Sequence, residues 1–144
     1  MNNIVFTCDL VNQSQIEEVG IEFWIDNDKF FDQQIPTGTT AVSHSFSDES
    51  GDHILKIILK NKQNEHTQLD AENNIISDIL PEIHNICFDK INIDQLFSEH
   101  AVYTHNFNGN GKTISTSFYK SLGCNGEVVF KFTTPFYMWM LEYL

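Results

Sequence analysis

Wherever this chain is apolar, it alternates. The clearest run is His53-Ile54-Leu55-Lys56-Ile57-Ile58-Leu59-Lys60, where Leu55, Ile57 and Leu59 share one face and Lys56 and Lys60 stand on the other. A period of two is the geometry of an extended strand, and a helix of 3.6 residues per turn cannot produce it. The β-branched content of the run favours the same conformation. The pattern recurs in Ile4, Phe6, Cys8 and Leu10 with Thr7 and Asp9 opposite, and in Ile21, Phe23 and Ile25 with Glu22 and Asp26 opposite. It returns in Val42, His44 and Phe46, and in Val128, Phe130 and Phe132 against Val129, Lys131 and Thr133.

Turn chemistry separates these runs. Asp26-Asn27-Asp28-Lys29 precedes a return strand beginning at Phe30-Phe31, which predicts a hairpin. Pro36 with Gly38, Asp48 to Asp52, and Asn108-Gly109-Asn110-Gly111 mark further breaks, the last between strands expected at Ala101 to Phe107 and Thr113 to Tyr119. Strand character resumes at Glu82. Ile86 and Phe88 then have one parity and Ile91 and Ile93 the other, which requires a bulge or a tight turn near Asp89-Lys90. Short helical turns are expected at Asp94 to His100 and at Ser14 to Val19, where Ser14 and Glu17 fit a capping box and Gly20 a stop. Pro135 ends the strand that starts at Glu127. About eight or nine short strands without βαβ alternation predict an all-β domain, a β-sandwich or jelly roll with little helix, spanning residues 1–144.

Charge restricts the partners. Asp and Glu number 20 against 8 Lys plus Arg, a formal net charge of -12. Nucleic-acid binding depends on neutralising phosphates with a basic face, and the lysines here are scattered, so nucleic acid is not an expected partner. The apolar runs fall well short of the roughly 18 residues that cross a bilayer, so membrane insertion is not expected either. No basic segment followed by an apolar run stands near the start, so no secretory signal is expected. Cys8, Cys87 and Cys124 are widely spaced and odd in number, the pattern of reduced thiols, although spacing leaves one disulfide open.

The sequence carries no HExxH or CxxC spacing, no GxSxG elbow and no Gly-rich phosphate loop, so the expectation is a binding domain and not an enzyme. The six histidines are dispersed. Residues 61 to 78 form the longest polar, unpatterned stretch, and loops of this length in small domains are functional or disordered. Its hard oxygen donors suit calcium, with Asp70, Asn74 and Asp78 as candidate ligands; the alternative is a solvated loop whose Asn and Asp side chains cap turns. Trp24 has the parity opposite Ile21, Phe23 and Ile25, so it faces outward, where it stacks on a sugar ring or packs against a second surface. The segment Phe136 to Leu144 is apolar on both faces. It is expected as a central strand or as a segment docked on a neighbouring chain, with Tyr137 and Trp139 as its candidate contact aromatics.

Two resemblances extend this reading. Gly51-Asp52-His53-Ile54-Leu55-Lys56-Ile57, Asn74-Ile75-Ile76-Ser77-Asp78 and Ile91-Asn92-Ile93-Asp94 resemble small uncharacterised proteins of tailed bacteriophages, notably large myoviruses of aquatic bacteria. So do Tyr103-Thr104-His105-Asn106-Phe107-Asn108-Gly109, Leu122-Gly123-Cys124-Asn125-Gly126 and Phe132-Thr133-Thr134-Pro135-Phe136-Tyr137-Met138-Trp139, the whole covering roughly residues 51 to 144. The resemblance implies an accessory component of the virion (decoration, neck, baseplate or fibre-associated) whose partners are other virion proteins or further copies of itself. The middle of the chain is also similar to calcium-dependent xylan-binding modules, which are jelly-roll sandwiches. That likeness implies a glycan partner and a calcium site directly after a long strand. Asn61 stands at that place here, without the acidic-arginine cluster of those modules.

Overall fold

A computed structural model describes residues 3–143; Leu144, the last residue of the apolar C-terminal segment, lies outside them. The alternating runs become long strands: β1 (Asn3–Asn12), β2 (Gly20–Ile25), β3 (Asp28–Gln34), β4 (Gly38–Ser47) and β5 (Gly51–Lys60). After them come β6 (Gln68–Leu69), β7 (Ile75–Ser77), β8 (Glu82–Phe88) and β9 (Ile91–Asn92). The chain continues with α1 (Asp94–His100), β10 (Val102–His105), β11 (Ile114–Ser117), β12 (Gly126–Thr134) and α2 (Phe136–Glu142). Twelve strands therefore stand among the described residues where the alternation gives eight or nine. Three of them, β6, β7 and β9, are two or three residues long and too short to carry a period.

The strands form a β-sandwich. One sheet has the order β4-β1-β8-β9 and the other β11-β10-β12-β5-β2-β3, with antiparallel pairing throughout. The inward rows are those predicted by alternation: Ile4, Phe6, Cys8 and Leu10 of β1 face Ile21, Phe23 and Ile25 of β2, Leu55, Ile57 and Leu59 of β5, and Val128, Phe130 and Phe132 of β12. Phe6 meets Phe23 at 6.2 Å, Phe88 meets Phe132 at 5.3 Å, and Phe46 meets Phe132 at 5.9 Å, so aromatic contacts join the sheets along the core. Full burial of such side chains is worth about 1.5–3 kcal/mol each. Gly126 sits where β12 is flanked by β5 and β10, and a Cβ there would lie 2.3 Å from the Thr104 carbonyl oxygen, so a side chain is excluded.

The parity switch at Asp89-Lys90 is a tight turn, with both residues at positive φ (50° and 68°) between β8 and β9. A second irregularity escaped the sequence: Asn85 (φ 54°) is an extra residue in β8, which slips the β1–β8 register between Thr7 and Asp9 and lets Ile83 and Ile86 both point inward.

Three expectations need correction. Ser14 to Val19 forms no helical turn: Ser14 Oγ accepts the Ile16 N–H, a local turn, and Glu17 accepts the Thr37 N–H instead of closing a capping box. Residues 61 to 78 are not an open loop; they contain a short 3-10 turn (Asn64–His66) and the β6–β7 hairpin. The C-terminal segment is helix α2 and not a strand.

Candidate functional site

Phe136 to Glu142 is too short for periodicity to separate helix from strand, but its contacts are helical. Phe136 and Trp139, three apart, are buried, and Met140 is partly buried against the core. Phe136 stacks on Phe88 at 4.3 Å, and Trp139 meets Phe130 at 5.3 Å. The other face is left apolar and open, with Tyr137 51%, Met138 62% and Leu141 65% exposed. The two aromatic candidates therefore separate: Tyr137 is on the surface, whereas Trp139, 5% exposed, belongs to the core. Beside the helix, Ile91, Ile93, Leu96, Met140 and Tyr143 line a groove of about 590 Å³.

Trp24 lies on the outer face of its sheet, as its parity predicts, but half-buried. Its Nε1 donates to Glu22 Oε1 at 2.8 Å, and Lys29 Nζ stands 5.7 Å from the ring centroid. The ring's polar edge and one face are thus already engaged.

Asp70, Asn74 and Asp78 occupy opposite ends of the β6–β7 hairpin. At its tip, Asp70 Oδ1 accepts the backbone N–H groups of Glu72 (2.8 Å) and Asn74 (2.9 Å), and these bonds hold its carboxyl below the usual carboxylate range. At its base, Asp78 accepts from Thr67 and from the Ile79 N–H, and pairs at 2.7 Å with Lys62, whose side chain is fully buried. Lys62 Nζ also donates to the carbonyls of Ile79 (2.8 Å) and Gly123 (2.7 Å), so its three donors are all used. Asn125 clasps the Lys62 backbone on both sides, its Oδ1 accepting the N–H and its Nδ2 donating to the carbonyl. Structure brings Asp70 and Asn74 together and ties Asp78 to Lys62. Among the described residues no three His, Cys, Asp or Glu side chains converge as metal ligands do.

One polar cluster was invisible in the sequence. His53 Nδ1 lies 2.7 Å from Asp26 Oδ2, and its Nε2 lies 3.0 Å from Thr134 Oγ1. His44, 3.4 Å from Asp28, stacks on Phe30 in the same cleft of about 520 Å³. The available signal was that His44 and His53 flank the Asp48 to Asp52 turn, which places both at one end of the sandwich. A carboxylate, an imidazole and a hydroxyl in line resemble a nucleophile triad, but the hydroxyl faces the wrong way. Thr134 is 5% exposed and donates its proton to the Glu49 carbonyl, so that proton is not directed at the imidazole. A nucleophile does the reverse, giving its proton to the imidazole. Thr134 is a clamp between β12 and the β4–β5 turn.

The cysteines are free. Burial raises the Cys8 thiol far above its ordinary value, with Asp9 and Asp94 adding to it, and burial raises Cys87 and Cys124 as well. Thiols held protonated in this way are poor nucleophiles. No protein-family model, curated protein or solved structure matches the chain.

Proposed function

We propose that this chain is a non-enzymatic accessory component of a tailed-phage particle, docking on neighbouring virion proteins through the outer face of α2. The observation that carries the docking is the helix itself. One side anchors in the core through Phe136 and Trp139, while Tyr137, Met138 and Leu141 stand in water. Large apolar side chains clustered at the surface of a strongly acidic protein mark contact sites. The placement in a particle rests on the resemblance of residues 51 to 144 to phage proteins.

The test is quantitative mass spectrometry of gradient-purified particles, paired with a Tyr137→Ser, Met138→Ser, Leu141→Ser variant. The wild-type chain is expected at fixed stoichiometry, and the variant should fold normally yet be missing from particles. Absence of the wild type from particles overturns the reading. Glycan binding abolished by a chelator would replace it with the calcium-dependent carbohydrate-binding one. Truncating the whole segment is a poorer test: losing Phe136 and Trp139 from the core costs about 3–5 kcal/mol each, enough to unfold the domain outright, as circular dichroism would show.

A further inference from the structure

The sandwich has one guarded edge and one bare edge, on the same side. Strands β3 and β4 end their respective sheets there, and the Phe30 and His44 rings stack at 4.2 Å across the gap between them. A free edge is a row of unpaired N–H and C=O groups, and proteins ordinarily block it with charge, proline, a bulge or shortness. β3 carries Asp28, Lys29 and Asp32, and its pairing with β2 is bulged at Phe23/Trp24. On the far side β9 and β11 are two and four residues long. β4 has none of these protections: it runs ten residues in unbroken register with β1, Gly38↔Asn12 to Ser47↔Asn3, without charge or proline. The uncharged stretch is longer still, from Gln33 to Ser47, in a chain where 19% of residues are charged.

The ladder identifies which groups are free. Val5, opposite Ser45, donates its N–H to the Asp89 carboxylate and accepts the Asp89 N–H, both at 2.8 Å, so its peptide groups point away from β4. In an antiparallel ladder this direction alternates. Thr40, Val42, His44 and Phe46 therefore bond β1, while Thr39, Ala41, Ser43, Ser45 and Ser47 turn their N–H and C=O groups outward.

We propose that β4 is a self-pairing edge, joining antiparallel to the β4 of a second copy about a two-fold axis at Ser43. That register places Ser43 against Ser43, Ala41 against Ser45 and Thr39 against Ser47, using every free group of the strand. The paired side chains are small and uncharged, so symmetry brings no clash. Charge permits a second copy here: two copies of net charge -12 repel wherever acidic faces meet, and β4 sets no charged residue of its own against its equivalent, while Asp28 of the neighbouring β3 is held by His44 at 3.4 Å. The contact is isologous and closes on itself. It is independent of the particle reading and of α2.

Sedimentation velocity over a concentration series of the full chain tests it, with Ser43→Lys and Ser43→Glu. The wild type should dimerise. Each variant alone should self-associate at least about tenfold more weakly, because like charges face each other at the axis, and an equimolar mixture of the two should recover the dimer. Hydrogen exchange of the wild type should show concentration-dependent protection at Ala41, Ser43 and Ser45, which holds even if one variant fails to fold. A wild type that is monomeric at every concentration overturns the proposal, as does a dimer that survives both substitutions with these amides unprotected. Protection that develops only when a foreign virion protein is added also overturns it, in favour of a strand donated from outside.

Discussion

Lys60 and Lys62 are two residues apart, and each holds a carboxylate at 2.7 Å, yet they do different things. Lys60 ends β5 on the outer face of the larger sheet, 34% exposed, between Glu22 and Asp32. Lys62 lies past Asn61, whose positive φ (67°) turns the chain over, and its side chain is wholly buried against Asp78 and two carbonyls. The distance is the same; the solvent is not. In water, Coulomb attraction at this separation is largely cancelled by hydration and by the ordering of two long side chains. In the interior the same pair is costly to assemble and far costlier to break, because whichever partner remains is left unpaired.

The largest effect should therefore follow from removing Asp78. Asp78→Ala strands the Lys62 ammonium, and a loss of about 3–5 kcal/mol in urea unfolding is expected. Lys62→Met should cost less, about 1–3 kcal/mol: it orphans the Ile79 and Gly123 carbonyls, but the Asp78 carboxylate it leaves is 12% exposed and keeps the Thr67 and Ile79 donors. The reverse order in those two measurements would show that Lys62 reaches water.

The contrast also explains what the sequence could disclose. Alternation predicted β1, β2, β5 and β12 and their inward rows, because burying one face of a strand writes its period directly into the residues. Lys62 was illegible: lysine reads as surface, and nothing local announces that residues 78–80 and 123–125 fold over it. Asp78 looked available for calcium for the same reason, since its partner comes from sixteen residues upstream. The Asp26–His53–Thr134 cluster joins three elements, and such a juxtaposition exists only once β5 is paired between β2 and β12 in one sheet. In α2, six consecutive apolar residues satisfy either period, so the segment fits a central strand as well as a docked one, and only its contacts show a helix with one face open. Trp24 was placed on the correct face, but its bond to Glu22 depends on side-chain direction, which parity does not give.

Breaking the exposed side of the comparison should do little. Lys60→Met removes two 2.7 Å ion pairs, but both involve solvent-accessible groups. Its urea midpoint should shift far less than that of Asp78→Ala, and moderate salt should shrink the shift further, since screening acts on exposed charges first. A Lys60→Met loss as large as that of Asp78→Ala would mean that the Lys60 pairs are shielded from water as the Lys62 pair is.

The smallest effect is in the pH profile, and its sign is fixed. Hydrogen bonds from Lys60 hold the Glu22 carboxyl below its ordinary value, with the Trp24 indole helping, and Lys60 and Lys29 do the same for Asp32. A carboxyl depressed in the folded state binds its proton more readily when unfolded. Its stabilisation is therefore present above the ordinary carboxylate range and is lost as pH falls through the depressed values. Lys60 itself is raised, by Asp32 and then Glu22, so its share is present below the ordinary lysine range and is lost as pH climbs through the raised value. Wild type and Lys60→Met should thus differ most at neutral pH and draw together only as pH falls below about 4 or climbs above about 10.4. Thermal unfolding at a series of pH values reads this directly. A gap that widens toward acid would mean that Glu22 and Asp32 are held protonated in the fold, the opposite of what their lysine partners impose.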